Sequence, residues 1–145
     1  MILYLDASAL VKRYVLETGT AEVESLLTTA ELAGTSLISR AEVSAAICKA
    51  ARRGVVDYTQ ASAAVKLFRI QWPDLFRLKV DGTIVESADL LSWEYQLRGY
   101  DAVHLACALF WQDSLAEGVT LATFDRDLWN AGHRAGLRVW PSSIA

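Results

Sequence analysis

Four acids, Asp6, Glu42, Asp101 and Asp125, are the residues of this chain whose types and placement could do chemistry. Asp6 directly follows the apolar run Ile2-Leu3-Tyr4-Leu5, and Asp125 stands just after the run from Val119 to Thr123. Glu42 falls in the first turn of an expected helix that follows a strand, and Asp101 opens a helix after a Gly-Tyr break. Each acid alone has a sufficient structural explanation. Asp6, Asp101 and Asp125 can cap the helices that follow them, and Ser39 with Glu42 fits a capping box. Four carboxylates meeting in one crevice are a different matter, because they repel unless protonated or neutralised. A hard divalent cation, Mg2+ or Mn2+, removes that cost, since such ions prefer oxygen ligands and sit beside phosphates. A centre of this kind polarises a phosphoryl oxygen and generates hydroxide, so phosphodiester hydrolysis is the chemistry expected.

The acids converge only if the elements that carry them place them at one edge. Ile2 to Leu5 is a short continuous apolar run that reads as a strand, and further strands are read at Thr35 to Ile38, Phe76 to Val80, Val119 to Thr123 and Leu137 to Val139. Between them, helical patterns run from Ala7 to Leu16 and from a Thr20 cap through Val23, Leu26 and Leu27. Others run from Ser39 to about Arg53, from Tyr58 to about Gln71, and from a Thr83 cap to Gly99. Two more run from Asp101 to about Asp113 and from Arg126 to Ala135. Strands alternating with helices imply crossovers and a mainly parallel sheet covered on both faces. In such sheets ligands bind beyond the carboxyl ends of the strands, which is where the four acids fall.

The 145 residues suit one domain, read as 1–145 with no linker, repeat or low-complexity stretch. A composition 53% hydrophobic and 21% charged excludes a disordered tail. No apolar run is long enough to cross a bilayer, and the N-terminus reads as a strand in place of a secretory peptide, so a cytoplasmic protein is expected. Cys48 and Cys107 lie in apolar helical patterns without metal-site spacing, and are expected as buried, reduced thiols. The net charge of −3 argues against broad DNA coating, but setting the four acids aside turns it into +1. Of the five tryptophans, Trp93 and Trp111 fit core faces, whereas Trp72, Trp129 and Trp140 fit either packing or partner contact.

The segments Tyr4-Leu5-Asp6-Ala7-Ser8-Ala9-Leu10-Val11-Lys12, Arg40-Ala41-Glu42, Tyr100-Asp101-Ala102-Val103-His104-Leu105-Ala106 and Thr123-Phe124-Asp125 resemble the successive signatures of PIN-domain nucleases. Among these, they look most like the VapC-type toxins of toxin–antitoxin systems, in order and over essentially the whole chain. The resemblance implies a three-layer α/β/α sandwich around a parallel sheet of four or five strands. It implies a Mg2+- or Mn2+-dependent endoribonuclease acting on structured RNA, tRNA or rRNA, with an antitoxin protein and a second copy of the chain as partners. The family's ligand positions fall on Asp6, Glu42, Asp101 and Asp125. Ser8 and Thr123 match supporting hydroxyls, and Asp127 stands as an auxiliary acid.

Some residues near the expected crevice remain to be placed. His104 projects from the same helix face as Asp101, three residues on, and a supporting role is expected ahead of a general-base one. Lys12, Arg13, Arg40 and Arg98 are candidates for RNA phosphate contacts, one or two of them as a group. A phospho-acceptor receiver would need a lysine after a late strand, and Leu121-Ala122-Thr123-Phe124-Asp125 has none. A haloacid-dehalogenase-type phosphatase would need Asp-x-Asp where this chain has Asp6-Ala7-Ser8. A PIN-like module that binds RNA or protein without cutting is the surviving alternative, weakened by the full set of acids. With no histidine pair for 2′-hydroxyl attack, in-line attack by a metal-activated water is expected, leaving a 5′-phosphate and a 3′-hydroxyl.

Overall fold

The strand β1 (Ile2–Leu5) is buried at every residue because it is the middle strand of the sheet. The computed structural model describes residues 1–144. Around β1 lie β2 (Leu32–Ser36), β3 (Phe76–Leu78), β4 (Val119–Ala122) and β5 (Arg138–Trp140), all parallel, in the order β3-β2-β1-β4-β5. The chain runs outward from β1 through β2 to β3, then returns to build β4 and β5 on the other side. The switch point of the winding therefore lies between β1 and β4, where Leu5 pairs with Ala122. The Asp6 amide continues that pairing, donating to the Ala122 carbonyl at 3.2 Å.

The helices are α1 (Ala7–Leu10), α2 (Thr20–Thr29), α3 (Ser39–Arg52), α4 (Tyr58–Gln71), α5 (Gly82–Tyr95), α6 (Gly99–Leu115) and α7 (Arg126–Arg134). Side chains alternate across a strand, so β1 serves two cores at once. Leu3 and Leu5 pack with Leu10, Val43, Ile47, Phe68 and Trp72 on the face covered by α1 to α4. Ile2 and Tyr4 pack with Ile84, Leu105, Trp111 and Leu128 on the face covered by α5 to α7. The result is the three-layer sandwich expected from the sequence. Among the described residues, no helix is long and apolar enough to cross a membrane.

Several local expectations are corrected. The helix expected over Ala7 to Leu16 stops at Leu10 and tightens into a 3₁₀ turn at Val11–Arg13. Gly19, at φ 99°, precedes α2, and the Thr20 hydroxyl instead accepts from the Glu17 amide at 3.0 Å. The second strand begins three residues and ends two residues earlier than expected, with Gly34 seating the backbone against Trp111. Asp81, not Thr83, caps α5 by accepting from the Ile84 amide. Trp93 is 85% exposed on α5, while Trp111 and Trp72 are buried. Cys107 is buried but Cys48 is exposed; both are free thiols.

A Cβ placed on Gly34 would lie 2.7 Å from Trp111 Cη2 and 3.0 Å from the Phe76 carbonyl oxygen. Trp111 also stacks on Phe76, with ring centroids 5.2 Å apart, so the indole has little room to retreat. Gly34→Ala is expected to cost about 1–3 kcal/mol as overpacking. Urea unfolding should show a lower midpoint with an unchanged slope.

Candidate active site

Asp6 caps α1 and is only 3% exposed, so its carboxylate is held by protein donors and not by water. Its Oδ1 accepts from the Ala9 amide at 3.0 Å and from Ser8 Oγ at 2.7 Å; its Oδ2 accepts from Thr123 Oγ1 at 2.6 Å. Both hydroxyls reach back across the switch point. Ser8 Oγ accepts from the Phe124 amide at 2.9 Å, and Thr123 Oγ1 accepts from the Asp125 amide at 3.0 Å. The ends of β1 and β4 are thereby knotted through one carboxylate. Burial raises the Asp6 pKa, while the field of His104 and the bonds from Thr123, Ser8 and Ala9 oppose the rise.

Asp125 caps α7 through its Oδ1, which accepts from the Leu128 amide at 3.0 Å. Its Oδ2 faces Arg98 Nη2 at 3.1 Å, and Arg98 Nε lies 3.6 Å from Asp101 Oδ2. Asp101 is not a cap: Arg98 occupies that position, and Asp101 sits in the first turn of α6. Its pKa is raised to about 6, first by burial, then by Asp125 and further by Asp6, against the opposing field of Arg98. Asp101 thus feels both of the other carboxylates at the switch point. Among the described residues, the one cation paired with Asp101 and Asp125 is a guanidinium 79% exposed. Exposed pairs of that kind contribute at most about 1 kcal/mol, so Arg98 is readily displaced.

Glu42 approaches from α3. The capping box expected with Ser39 does not form: Ile38 precedes the helix without a side-chain cap, and Ser39 Oγ bonds Thr35 Oγ1 at 2.6 Å. The Glu42 carboxylate turns instead to His104 on α6, with Oε1 2.7 Å from Nε2. The other ring nitrogen of His104 meets the Tyr4 hydroxyl at 2.7 Å. Tyr4, missed by sequence reasoning, lies one hundred residues from its partner, and no local pattern marks the contact.

The donor set suits a hard divalent cation: four carboxylates, two of them with pKa values raised chiefly by burial. Among the described residues, however, no three Asp, Glu, His or Cys side chains stand together at metal-holding distance. Glu42 is drawn to His104, and Asp125 to Arg98. Asp127 is exposed in the first turn of α7. Of the basic candidates, Lys12 is tied to Glu17 and the Thr18 carbonyl and lies over the Phe124 ring, and Arg13 pairs with Glu24. Arg40 is exposed with no ion pair among the described residues.

Comparison with known proteins places these features in a lineage. The family described as PIN domain matches residues 3–133. The chain is 34% identical over 143 residues to Ribonuclease VapC45 of Mycobacterium tuberculosis, covering 99% of this chain and 97% of the relative. It is similar in structure to a toxin-antitoxin complex from Klebsiella pneumoniae (TM-score 0.68, 21% identity, full coverage of both chains). It is likewise similar to FitAcB from Neisseria gonorrhoeae (TM-score 0.66, 18% identity, 95% and 96% coverage).

The raised Asp101 pKa carries a signed consequence. Between the ordinary value of 3.8 and about 6 the folded protein holds a proton that the unfolded chain has lost. This group's contribution to stability therefore falls as pH rises through that window and is level above it. In EDTA, Asp101→Asn is expected to melt above the parent protein at pH 7.5. The advantage should shrink toward pH 4.5, as thermal scans at the two pH values would register.

Proposed function

Because the chain belongs to the PIN-domain family, we propose that it is a metal-dependent endoribonuclease acting as the toxin of a toxin–antitoxin pair. The observation that carries this reading is the placing of Asp6, Asp101 and Asp125 at the β1–β4 switch point, where Asp101 feels both of the other carboxylates and shares Arg98 with Asp125. The Ribonuclease VapC name of a relative spanning almost the whole chain supports the activity. The toxin-antitoxin complexes among similar structures support an antitoxin partner.

The roles follow from the chemistry of the site. Asp6, Asp101 and Asp125, with Glu42, would hold Mg2+ or Mn2+, which supplies a more acidic water and polarises a phosphoryl oxygen when bound. Asp6 is fixed by Ser8 and Thr123, so its orientation survives the approach of a substrate. Its Oδ2 accepts a single bond among the described residues, which leaves an open lone pair facing away from Thr123. Arg98, released when the acids take another cation, would be left at the rim of the crevice with a fork suited to phosphate.

The substrate side is read from charge. The segment from Ser39 to Lys79, holding α3, α4 and β3, carries eight of the fourteen basic side chains and three of the seventeen acidic ones. The chain is therefore acidic in sum but basic on one part, where Arg40 adjoins Glu42 in sequence. Structured RNA is the substrate we assign, held through its phosphates on that basic part. Products with a 5′-phosphate and a 3′-hydroxyl are expected.

The test is cleavage of total cellular RNA by purified, partner-free protein with Mg2+, with Mn2+ and with EDTA. Discrete metal-dependent cuts, lost by at least about 100-fold in both Asp6→Asn and Asp101→Asn, are expected, since even indirect supports of a metal ligand are worth 10–100-fold. No cutting by the folded protein across several RNA sources would replace this reading with a non-catalytic binding module. Products ending in a 2′,3′-cyclic phosphate would overturn the mechanism while leaving the nuclease.

A further inference from the structure

His104 is the most constrained polar residue of the α6 face. It is 1% exposed, and both ring nitrogens are engaged at 2.7 Å by residues from two other elements, Tyr4 of β1 and Glu42 of α3. The chemistry of its partners orients it. An ionised carboxylate can only accept, so Nε2 carries a hydrogen and donates to Glu42 Oε1. Tyr4 is fully buried, and burial pushes its pKa well above the usual value, so it keeps its proton and can donate to a bare Nδ1. A neutral imidazole has one donor and one acceptor nitrogen, and this arrangement uses both in a single tautomer. Beneath Tyr4 lies Cys107, whose thiol is likewise kept protonated by burial and adjoins Ser36.

Glu42 itself has no such anchoring. Its side chain is 28% exposed, and among the described residues His104 is its only hydrogen-bond partner. The start of α3 is pinned by Thr35, which donates to the Leu5 carbonyl at 2.6 Å and shares a hydrogen bond with Ser39. That pins the backbone but leaves the carboxylate of a flexible side chain to be placed by something else. The same imidazole sits three residues along α6 from Asp101, on the same face of the helix.

We infer that His104 is a positioning residue that acts through Glu42: held from beneath by Tyr4, it sets the Glu42 carboxylate across the gap between α3 and α6 at the acidic cluster. A His104 that attacked or shuttled protons would need a nitrogen open to substrate, and neither is. The inference rests on Glu42 as a cation ligand, and its test separates the two claims.

The first measurement is nitrogen NMR of the metal-free protein, which reports the histidine tautomer without any cation or RNA. Hydrogen on Nε2 with a bare Nδ1, disturbed in both Tyr4→Phe and Glu42→Gln, is expected; hydrogen on Nδ1 would overturn the inference. The second is Mn2+ titration followed by calorimetry. His104→Leu should weaken binding about 10- to 100-fold, the usual worth of a group that orients a metal ligand. His104→Gln, which keeps a donor for Glu42, should recover most of that loss, and Tyr4→Phe should lose less than the leucine variant. In a Glu42→Ala background, His104→Leu should add almost nothing, because its effect is spent through Glu42. Undiminished losses in that background would mean His104 acts by another route and would overturn the inference. Should His104→Leu fail to fold, the glutamine and phenylalanine variants carry the same comparison. No Mn2+ binding by the parent protein, with the expected tautomer seen, would remove the cation reading and leave His104 as the holder of Glu42.

Discussion

The carboxylate of Asp6 is where the fold and the site become one problem. Burying a charge is costly unless it is met by hydrogen bonds. Here the bonds come from both sides of the switch point: Ala9 and Ser8 after β1, and Thr123 after β4. The two hydroxyls are not passive donors. Each also accepts a backbone amide from the turn after β4, so the path of Phe124 and Asp125 is set by the same bonds that hold Asp6. Removing the Asp6 carboxylate would leave Ser8 and Thr123 without their acceptor and the β4 turn without its template. The position of Asp125 is in this sense a consequence of Asp6.

From that knot the electrostatics follow. Burial raises the pKa of Asp6 and Asp101 beyond what their hydrogen bonds and nearby cations offset, and Asp125 and Asp6 both push Asp101 further up. The folded chain therefore carries repulsion that a single exposed guanidinium, Arg98, relieves only weakly. A fold stabilised solely for its own sake would place an apolar residue or a buried arginine at this point. Under the proposed metal-dependent reading, a cation bound at this point would offset the repulsion and add to stability with its occupancy.

The sequence reveals this site unevenly, and the reasons are physical. β1 and β4 are buried on both faces, so β1 reads as an unbroken apolar run ending at an acid and β4 as a largely apolar one interrupted by Thr120 and Thr123 before Asp125. β2 is legible only in part, because Leu32-Ala33-Gly34-Thr35-Ser36 is chosen for close approach to Trp111 and for hydroxyl contacts in place of apolar bulk. The spacing of Ser39 and Glu42 fits a local capping box, but the tertiary partners Thr35 and His104 take both side chains away. Trp93 shares the helical period of core residues and is nevertheless 85% exposed, since periodicity assigns a face without saying what covers it. Contacts such as Tyr4 with His104 have no local signature, because the residues are brought together only by the crossing of β1 and α6.

What distinguishes the four acids from ordinary helix caps is then a matter of topology added to local chemistry. Asp6 and Asp125 do cap their helices, as a purely structural reading requires. Both roles are compatible, because a cap uses one oxygen for a backbone amide and leaves the other to face the crevice. Asp125 divides in this way between Leu128 and Arg98. Glu42 and Asp101 lie in the first turns of α3 and α6, where the helix dipole favours their charge but no capping bond uses their carboxylates. The parallel sheet supplies the rest by delivering all four helix starts to the carboxyl edge on either side of β1.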